Sequence, residues 1–228
     1  FRGSYTKSFR APVLKQLYGA MEEGATNITD PTACTTLGIP LDTDGGCFYA
    51  ATQVNGANPD LKPEIGKTLN LGIVFELAKN FNASVDWWRI QKTDDITSPT
   101  ITSAIASGRF TKVGPKTSVF TNLQNIAERE TAGLDVDARW RLTGTAIGNV
   151  TIRNLLTYYF TNKTRSSSGD EWAEFADTYA TPTYRNAINV TTETGPWTFG
   201  GTLKTVGGFL DTEQPIEANA TTRRVASH

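Results

Sequence analysis

The chain has 228 residues, and its 22 lysines and arginines nearly balance 23 aspartates and glutamates, leaving a net charge of -1. This balance gives no electrostatic case for nucleic-acid binding, and no apolar run of about 18 residues predicts a membrane-spanning helix. Two cysteines and one histidine leave few ways to build a metal or nucleophile site, so we expect no cofactor, no metal and no enzyme activity.

Seven segments of the chain alternate apolar and polar residues, the pattern of a β-strand with two unlike faces. The longest, RETAGLDVDARWRLTG at residues 129–144, outruns an ordinary strand of about five or six residues. It suits a tilted strand that crosses a bilayer, which needs about nine to eleven residues. The predicted strands lie at residues 1–9, 68–77, 82–91, 129–144, 149–160, 184–194 and 197–209.

The connection after the first predicted strand holds about fifty residues, far more than the usual four to six. Cys34 and Cys47 lie within it, and their spacing fits a disulfide that staples a loop in an oxidising compartment better than a redox motif. Between them, DTDGG at residues 42–46 resembles the start of a calcium loop but lacks the bidentate glutamate. The candidate ligand-binding aromatics of this loop are Tyr18, Phe48 and Tyr49.

The third and fourth predicted strands differ in regularity. In the third, the pair Trp87 and Trp88 interrupts the alternation and predicts a β-bulge, so we assign no lipid-facing side there. The fourth keeps its phase throughout and places charges on its polar side, which we expect to line a wet lumen because an arginine facing mid-bilayer lipid costs about 2–4 kcal/mol. These predicted lumen-facing residues are Asp135, Asp137, Arg139 and Arg141.

Short and long connections alternate strictly along the chain. This order predicts an all-β, up-and-down antiparallel meander with its long loops at one end, as in a transmembrane β-barrel. Aromatic residues near predicted strand ends, such as Trp140 and Trp197, suit the girdles at membrane interfaces.

A second candidate ligand-binding segment lies in the connection at residues 166–179. Its rings are able to stack on a sugar or chelate while its carboxylates, including Glu174 and Asp177, accept hydrogen bonds. The alternative, which the pattern favours, is that the rings only pack the loop against its neighbours. The candidate residues are Trp172, Phe175 and Tyr179.

Three stretches resemble motifs in the barrels of TonB-dependent outer-membrane transporters. SYTKSFRAPVLKQLYG at residues 4–19 resembles YGxxFRAPxxxELY, and NPDLKPEIGKTLNLGI at residues 58–73 resembles the GNPDLKPExSxxxELG that follows it. NIAERETAGLDVDARW at residues 125–140 resembles a later strand. The chain after residue 140 matches by strand pattern only.

The resemblance implies that residues 1–228 are a partial barrel domain, seven of about 22 strands, without the plug domain, the TonB box or the last barrel strands. Its expected function is active transport across the bacterial outer membrane of a scarce ligand, such as a siderophore, vitamin or saccharide, energised by TonB. The implied partners are outer-membrane lipid, the protein's own plug domain, the TonB energy-coupling complex and the small-molecule or saccharide ligand.

Two alternatives explain the strands without these motifs. A passive porin would share the barrel but lack a plug. A soluble, secreted carbohydrate-binding β-sandwich would fold without detergent and bury the apolar strand faces in a core of its own.

Overall fold

The computed structural model describes residues 1–167, 170–212 and 223–227, which form two main regions that we call the wall and the cap. The wall is one antiparallel sheet in which each long strand pairs with the next long strand along the chain. Its strands are β1 (Arg2–Arg10), β4 (Glu64–Ala78), β5 (Phe81–Thr97), β8 (Gln124–Thr145), β9 (Gly148–Arg165), β11 (Tyr184–Thr194) and β12 (Trp197–Val206), with a short β10 (Ala173–Glu174) beside β9.

The cap is built from the two long connections at residues 11–63 and 98–123. It contains a four-stranded sheet in the order β2-β3-β7-β6 and three short helices. Its elements are α1 (Leu14–Tyr18), β2 (Glu22–Ile28), α2 (Pro31–Thr36), β3 (Tyr49–Asn55), α3 (Ile101–Ala106), β6 (Phe110–Val113) and β7 (Lys116–Phe120). Beyond the wall, β13 (Phe209–Leu210) pairs with β14 (Arg224–Val225).

The wall confirms the seven predicted strands and their up-and-down order. Tight turns join β4 to β5, β8 to β9 and β11 to β12, so all the long connections lie at the opposite end. β8 has 22 residues and β9 has 18, more than the nine to eleven or so that cross a bilayer. The extra residues extend these strands toward the cap. Within the described part of the chain, no helix has the length and apolarity to span a membrane.

The two faces of the wall follow directly from its register. Ile73, Val85, Val136 and Leu156 lie side by side on four neighbouring strands and define what we call the apolar face. Other large side chains on this face are exposed, including Leu203 at 62%. The opposite, polar face carries the alternate residues. The wall therefore has no hydrophobic core of its own on its apolar side.

The predicted bulge at Trp87 and Trp88 is wrong. The pairing of β5 with β4 and β8 continues in register through both residues. The shifts lie elsewhere, between Glu76 and Ala78 at the short turn and between Lys92 and Ile96 at the other end of β5. Both tryptophans fit a regular strand because Trp87 is on the apolar face and Trp88 on the polar face. There the ring of Trp88 lies over Gly133, where an added Cβ would be 2.5 Å from Trp88 Cζ2. The glycine opposite makes room for the second ring.

The cap, unlike the wall, has a buried core. Ile28 is 2% exposed, Ile105 1% and Val119 0%, and they come from both long connections. The chain enters α2 through Asp30, whose carboxylate accepts hydrogen bonds from Thr32 N at 2.8 Å and Ala33 N at 3.1 Å. These backbone donors, that of Ala33 foremost, lower the pKa of Asp30. The two connections thus fold as one unit rather than as separate loops.

Candidate ligand-binding surface

The cap meets the wall at residues 58–63, part of one of the stretches that carry the family resemblance. Asn58 Nδ2 donates to Leu123 O at 2.9 Å, which ties the first long connection to the end of the second. The Asn125 amide then joins three segments, since it donates to Lys62 O and to Asp94 O, each at 2.8 Å, and accepts from Lys62 N at 2.8 Å. The two connections of the cap are therefore bonded to each other, and the first of them is hydrogen-bonded to the wall.

The buried carboxylate of Glu64 forms the second part of this junction. Glu64 is 1% exposed and accepts hydrogen bonds from Arg10 Nη2 at 2.6 Å and from Ile96 N at 3.0 Å, while Lys92 Nζ lies 3.1 Å away. It is at the loop end of β4, outside the stretch with apolar outward residues. Burial raises the pKa of Glu64, but these donors outweigh it and lower the pKa to about 2.

Inside the cap, Cys34 and Cys47 are joined by a disulfide, and Cys34 is completely buried. The DTDGG segment between them forms a turn, in which Asp42 Oδ1 accepts from Asp44 N at 3.1 Å and from Gly46 N at 2.6 Å. Across the described residues, no group of three or more metal-ligating side chains comes together. The Asp42 carboxylate thus organises its own loop.

The three candidate aromatics of the first long connection have different surroundings. Tyr18 is 72% exposed and Phe48 is 74% exposed on the surface of the cap. Tyr49 instead packs against the core, and its hydroxyl donates to Pro115 O at 2.9 Å and accepts from Thr117 Oγ1 at 3.2 Å. Two of the rings are available to a ligand, and the third holds β3 to β7.

The three candidate aromatics of the later connection each have different neighbours. Trp172 lies against two cations, 4.9 Å from Lys163 Nζ and 4.8 Å from Arg165 Cζ, measured to the ring centre. Tyr179 is 59% exposed and meets Phe209 edge to face. Phe175 is half-buried, and its backbone N–H bonds to Asn162 O at 2.8 Å. The described contacts do not gather the six candidate rings into one cluster.

The carboxylates of this later connection are engaged in its own structure. Glu174 accepts from Asn162 N at 2.7 Å and from Ala176 N at 2.8 Å; burial raises its pKa, but these bonds and one from Thr161 lower it below its ordinary value. Asp177, which has a positive φ of 70°, accepts from Arg224 Nη1 at 2.7 Å. Both side chains brace the loop, a role that the sequence pattern did not indicate.

The charges predicted to face a lumen lie together on the polar face of the wall. The four residues alternate along β8 on the side opposite Val136. Asp137 accepts from Arg153 Nη2 at 2.6 Å, and Asp135 from Thr157 Oγ1 at 2.8 Å. These are the predicted residues Asp135, Asp137, Arg139 and Arg141.

A groove on the polar face involves residues that sequence reasoning missed. It has a volume of about 370 Å³, and its lining includes Trp88, Asp135 and the ion pair of Arg2 with Asp86. Trp88 meets Tyr159 edge to face across Gly133, with ring centres 5.8 Å apart. Only the strand register reveals this set, because Arg2 and Asp86 come from strands that are far apart in sequence.

A sequence profile of the family described as TonB dependent receptor-like, beta-barrel matches residues 1–227. The chain belongs to the TonB-dependent receptors. No curated protein matches it. Members of this family are bacterial outer-membrane receptors and transporters rather than enzymes. The seven strands are thus part of a transmembrane barrel wall, and the apolar face is the one that suits lipid.

Solved structures of TonB-dependent receptors share the fold of this chain. The siderophore receptor PirA from Acinetobacter baumannii has a TM-score of 0.62 and 16% identity, over 99% of this chain and 31% of that one. A variant of the ferric enterobactin receptor PfeA from Pseudomonas aeruginosa, in complex with enterobactin, has a TM-score of 0.63 and 14% identity, over 99% and 29%. The chain therefore spans about a third of the length of these receptors.

Proposed function

We propose that this chain supplies barrel wall and extracellular ligand-capturing loops to a transporter that imports a scarce ligand across the outer membrane. The observation that carries this proposal is the cap, in which two long connections share one buried core and a disulfide at one end of a transmembrane wall. A loop that is ordered before binding loses less conformational entropy when it captures its ligand. The cap suits capture from outside the cell.

The polar face has features that suit a lumen occupied by a plug domain. Its groove, its ion pairs and the Trp88 and Tyr159 rings offer a plug domain of the same protein both charged and aromatic contacts. The four β8 charges would face that plug. In this proposal TonB pulls on the plug through its energy-coupling complex and releases the ligand inward, and the barrel residues need no cofactor and perform no catalysis.

For the ligand itself we propose a siderophore. PirA is a siderophore receptor, and PfeA is a ferric enterobactin receptor that was solved with enterobactin. The exposed rings of Tyr18, Phe48 and Tyr179 offer surfaces on which catecholate rings can stack. Tyr49 packs against the cap core, Trp172 lies against Lys163 and Arg165, and Phe175 is half-buried, so the three more exposed rings are the ones to test.

Uptake of ⁵⁵Fe-labelled ferric enterobactin by cells that carry the full-length receptor tests this function. We expect uptake that depends on TonB, and a Tyr18→Ala/Phe48→Ala variant should bind the chelate about tenfold more weakly. The matched control is Val113→Ala, which shortens another cap side chain that is 75% exposed. This variant should bind the chelate as the parent does.

Each failure of this test has its own meaning. Uptake that continues undiminished without TonB indicates a passive porin. TonB-dependent uptake of cyanocobalamin or maltodextrin, with none of the iron chelate, retains the transporter and overturns the siderophore. Equal binding by the double variant and the control removes Tyr18 and Phe48 from the ligand site.

A further inference from the structure

Two lysines face each other on the apolar face of the wall. Lys7 of β1 is directly opposite Lys67 of β4, and both are exposed. Neither side chain forms an ion pair within the described part of the chain. Like charges directly opposite each other on antiparallel strands are destabilising. The wall therefore maintains a repulsive pair at this position.

The lysine pair lies in a row of the apolar face that is polar or charged on the neighbouring strands, with Gln91, Glu130 and Lys163. On this face the next pair toward the short turns is Tyr5 with Leu69, and from Leu69 onward the outward side chains of β4 are apolar. One further apolar pair, Phe9 with Ile65, lies on the side of the long connections, so the two lysines are near that edge of the lipid-facing band. A lysine at such an edge keeps its stem on apolar surface and its ammonium in the headgroup layer.

Among the described residues of β4, β5, β8 and β9, the row that contains these lysines leaves no carboxylate free for them. Along the same row, Lys67 is followed by Gln91, Glu130 and Lys163 on the next three strands. The Glu130 carboxylate is already held by Arg89 Nη2 at 2.8 Å and Gln91 Nε2 at 3.0 Å, with Lys163 Nζ at 3.7 Å. Glu130 supplies the carboxylate of this row, and its contacts are with Arg89, Gln91 and Lys163 rather than with the lysine pair.

We propose that Lys7 and Lys67 bind a phosphate of a lipid headgroup in the outer leaflet of the outer membrane. A phosphate between the two ammonium groups turns their repulsion into two charge-assisted contacts, while the acyl chains of the same lipid cover Tyr5, Leu69 and the apolar face below. This inference rests on the proposed orientation, in which the long connections lie outside the cell.

Lipid A, the bisphosphorylated disaccharide anchor of lipopolysaccharide, is the probe for the test. The full-length receptor is purified in detergent, stripped of lipid, and titrated with lipid A under native mass spectrometry. Lys7→Gln/Lys67→Gln should bind lipid A about 30-fold more weakly, because each lysine near an anionic lipid surface contributes about fivefold. Lys7→Arg/Lys67→Arg keeps both charges and should bind like the parent.

The matched control is Lys15→Gln/Lys62→Gln, which removes two other exposed lysines from the first long connection. It should leave lipid A binding unchanged. The parent and the Lys7→Gln/Lys67→Gln variant should bind dephosphorylated lipid A with equal affinity. Inorganic phosphate at about 10 mM should not displace lipid A, because inorganic phosphate lacks the acyl chains.

Three results overturn the proposal: equal lipid A affinity in the parent and the Lys7→Gln/Lys67→Gln receptor, an equal loss in the control, or displacement of lipid A by inorganic phosphate. Iron-chelate uptake is measured on the same variants. Normal uptake with unchanged lipid binding refutes the lipid site alone, whereas absent uptake in the parent receptor speaks only to the proposed function.

Discussion

The wall and the cap are made from one chain, yet they are stabilised in opposite ways. On the wall, Phe199 and Leu203 are each 62% exposed, whereas Ile28 and Val119 of the cap are 2% and 0% exposed. The cap buries its apolar residues against one another, as a water-soluble domain does. The wall satisfies its backbone through strand pairing and leaves its apolar side chains for lipid to cover. Its stability therefore depends on its surroundings, and that of the cap on its own core.

An arginine scan across adjacent residues tests the two-faced wall most strongly. Ile73 and Val74 are neighbours on β4, 46% and 56% exposed, but Ile73 is on the apolar face and Val74 on the polar face. In a bilayer, Ile73→Arg should cost about 2–4 kcal/mol of folding free energy, and Val74→Arg less than about 1 kcal/mol.

Urea titration of the full-length receptor in lipid vesicles measures this difference. Ile73→Ala and Val74→Ala, which shorten the same two side chains without adding a charge, serve as the controls in the same vesicles. A similar cost for the two arginines in vesicles would show that the apolar face is not in contact with lipid.

Removal of the disulfide should loosen the cap while sparing the wall. Cys34 and Cys47 are 13 residues apart, and a crosslink that closes a loop of about 15 residues contributes about 3 kcal/mol. In Cys34→Ala/Cys47→Ala, amides of β2, β3 and β7 should exchange hydrogen faster, with those of β8 and β9 unchanged. Hydrogen exchange followed by mass spectrometry reads both regions at once. Faster exchange in β8 would mean that cap and wall unfold as one unit.

Acid should weaken the junction between the two regions. The pKa of Glu64 is lowered from 4.5 to about 2, so its contribution to stability is present above about pH 4.5 and is lost as the pH falls toward 2. Glu64→Gln should cost about 2 kcal/mol at pH 7 and should flatten that decline. Glu22→Gln, at an exposed position of β2, is the control. An unchanged acid profile in Glu64→Gln would assign the decline to other carboxylates.

The sequence predicts the wall well because its signal is local. Residues two apart share a face, so alternation alone locates each strand, and the short connections establish the order. The one error, at Trp87 and Trp88, arose because alternation was read within a single strand. The room for Trp88 comes from Gly133 on another strand, and only the pairing of β5 with β8 shows it.

The cap and the candidate ligand surface were less accessible to sequence reasoning. Ile28 and Val119 meet only after two connections fold together, and no periodic pattern links residues so far apart. Phe48 and Tyr49 are likewise adjacent aromatic residues in the sequence, but Phe48 is exposed and Tyr49 packs against the core. What a loop residue does depends on contacts that its neighbours in the chain do not encode.

The ion pair between Arg10 and Glu64 joins FRAP to KPE, two short stretches separated by the whole first connection. Arg10 and Glu64 form the last residue pair between β1 and β4, so the chain leaves the barrel and returns to it at the same point. Because the first connection shares its buried core with residues 98–123, the two connections would have to be exchanged together when a new specificity is grafted onto the same barrel. The pair of Arg10 and Glu64 marks where the first of these exchanges begins and ends.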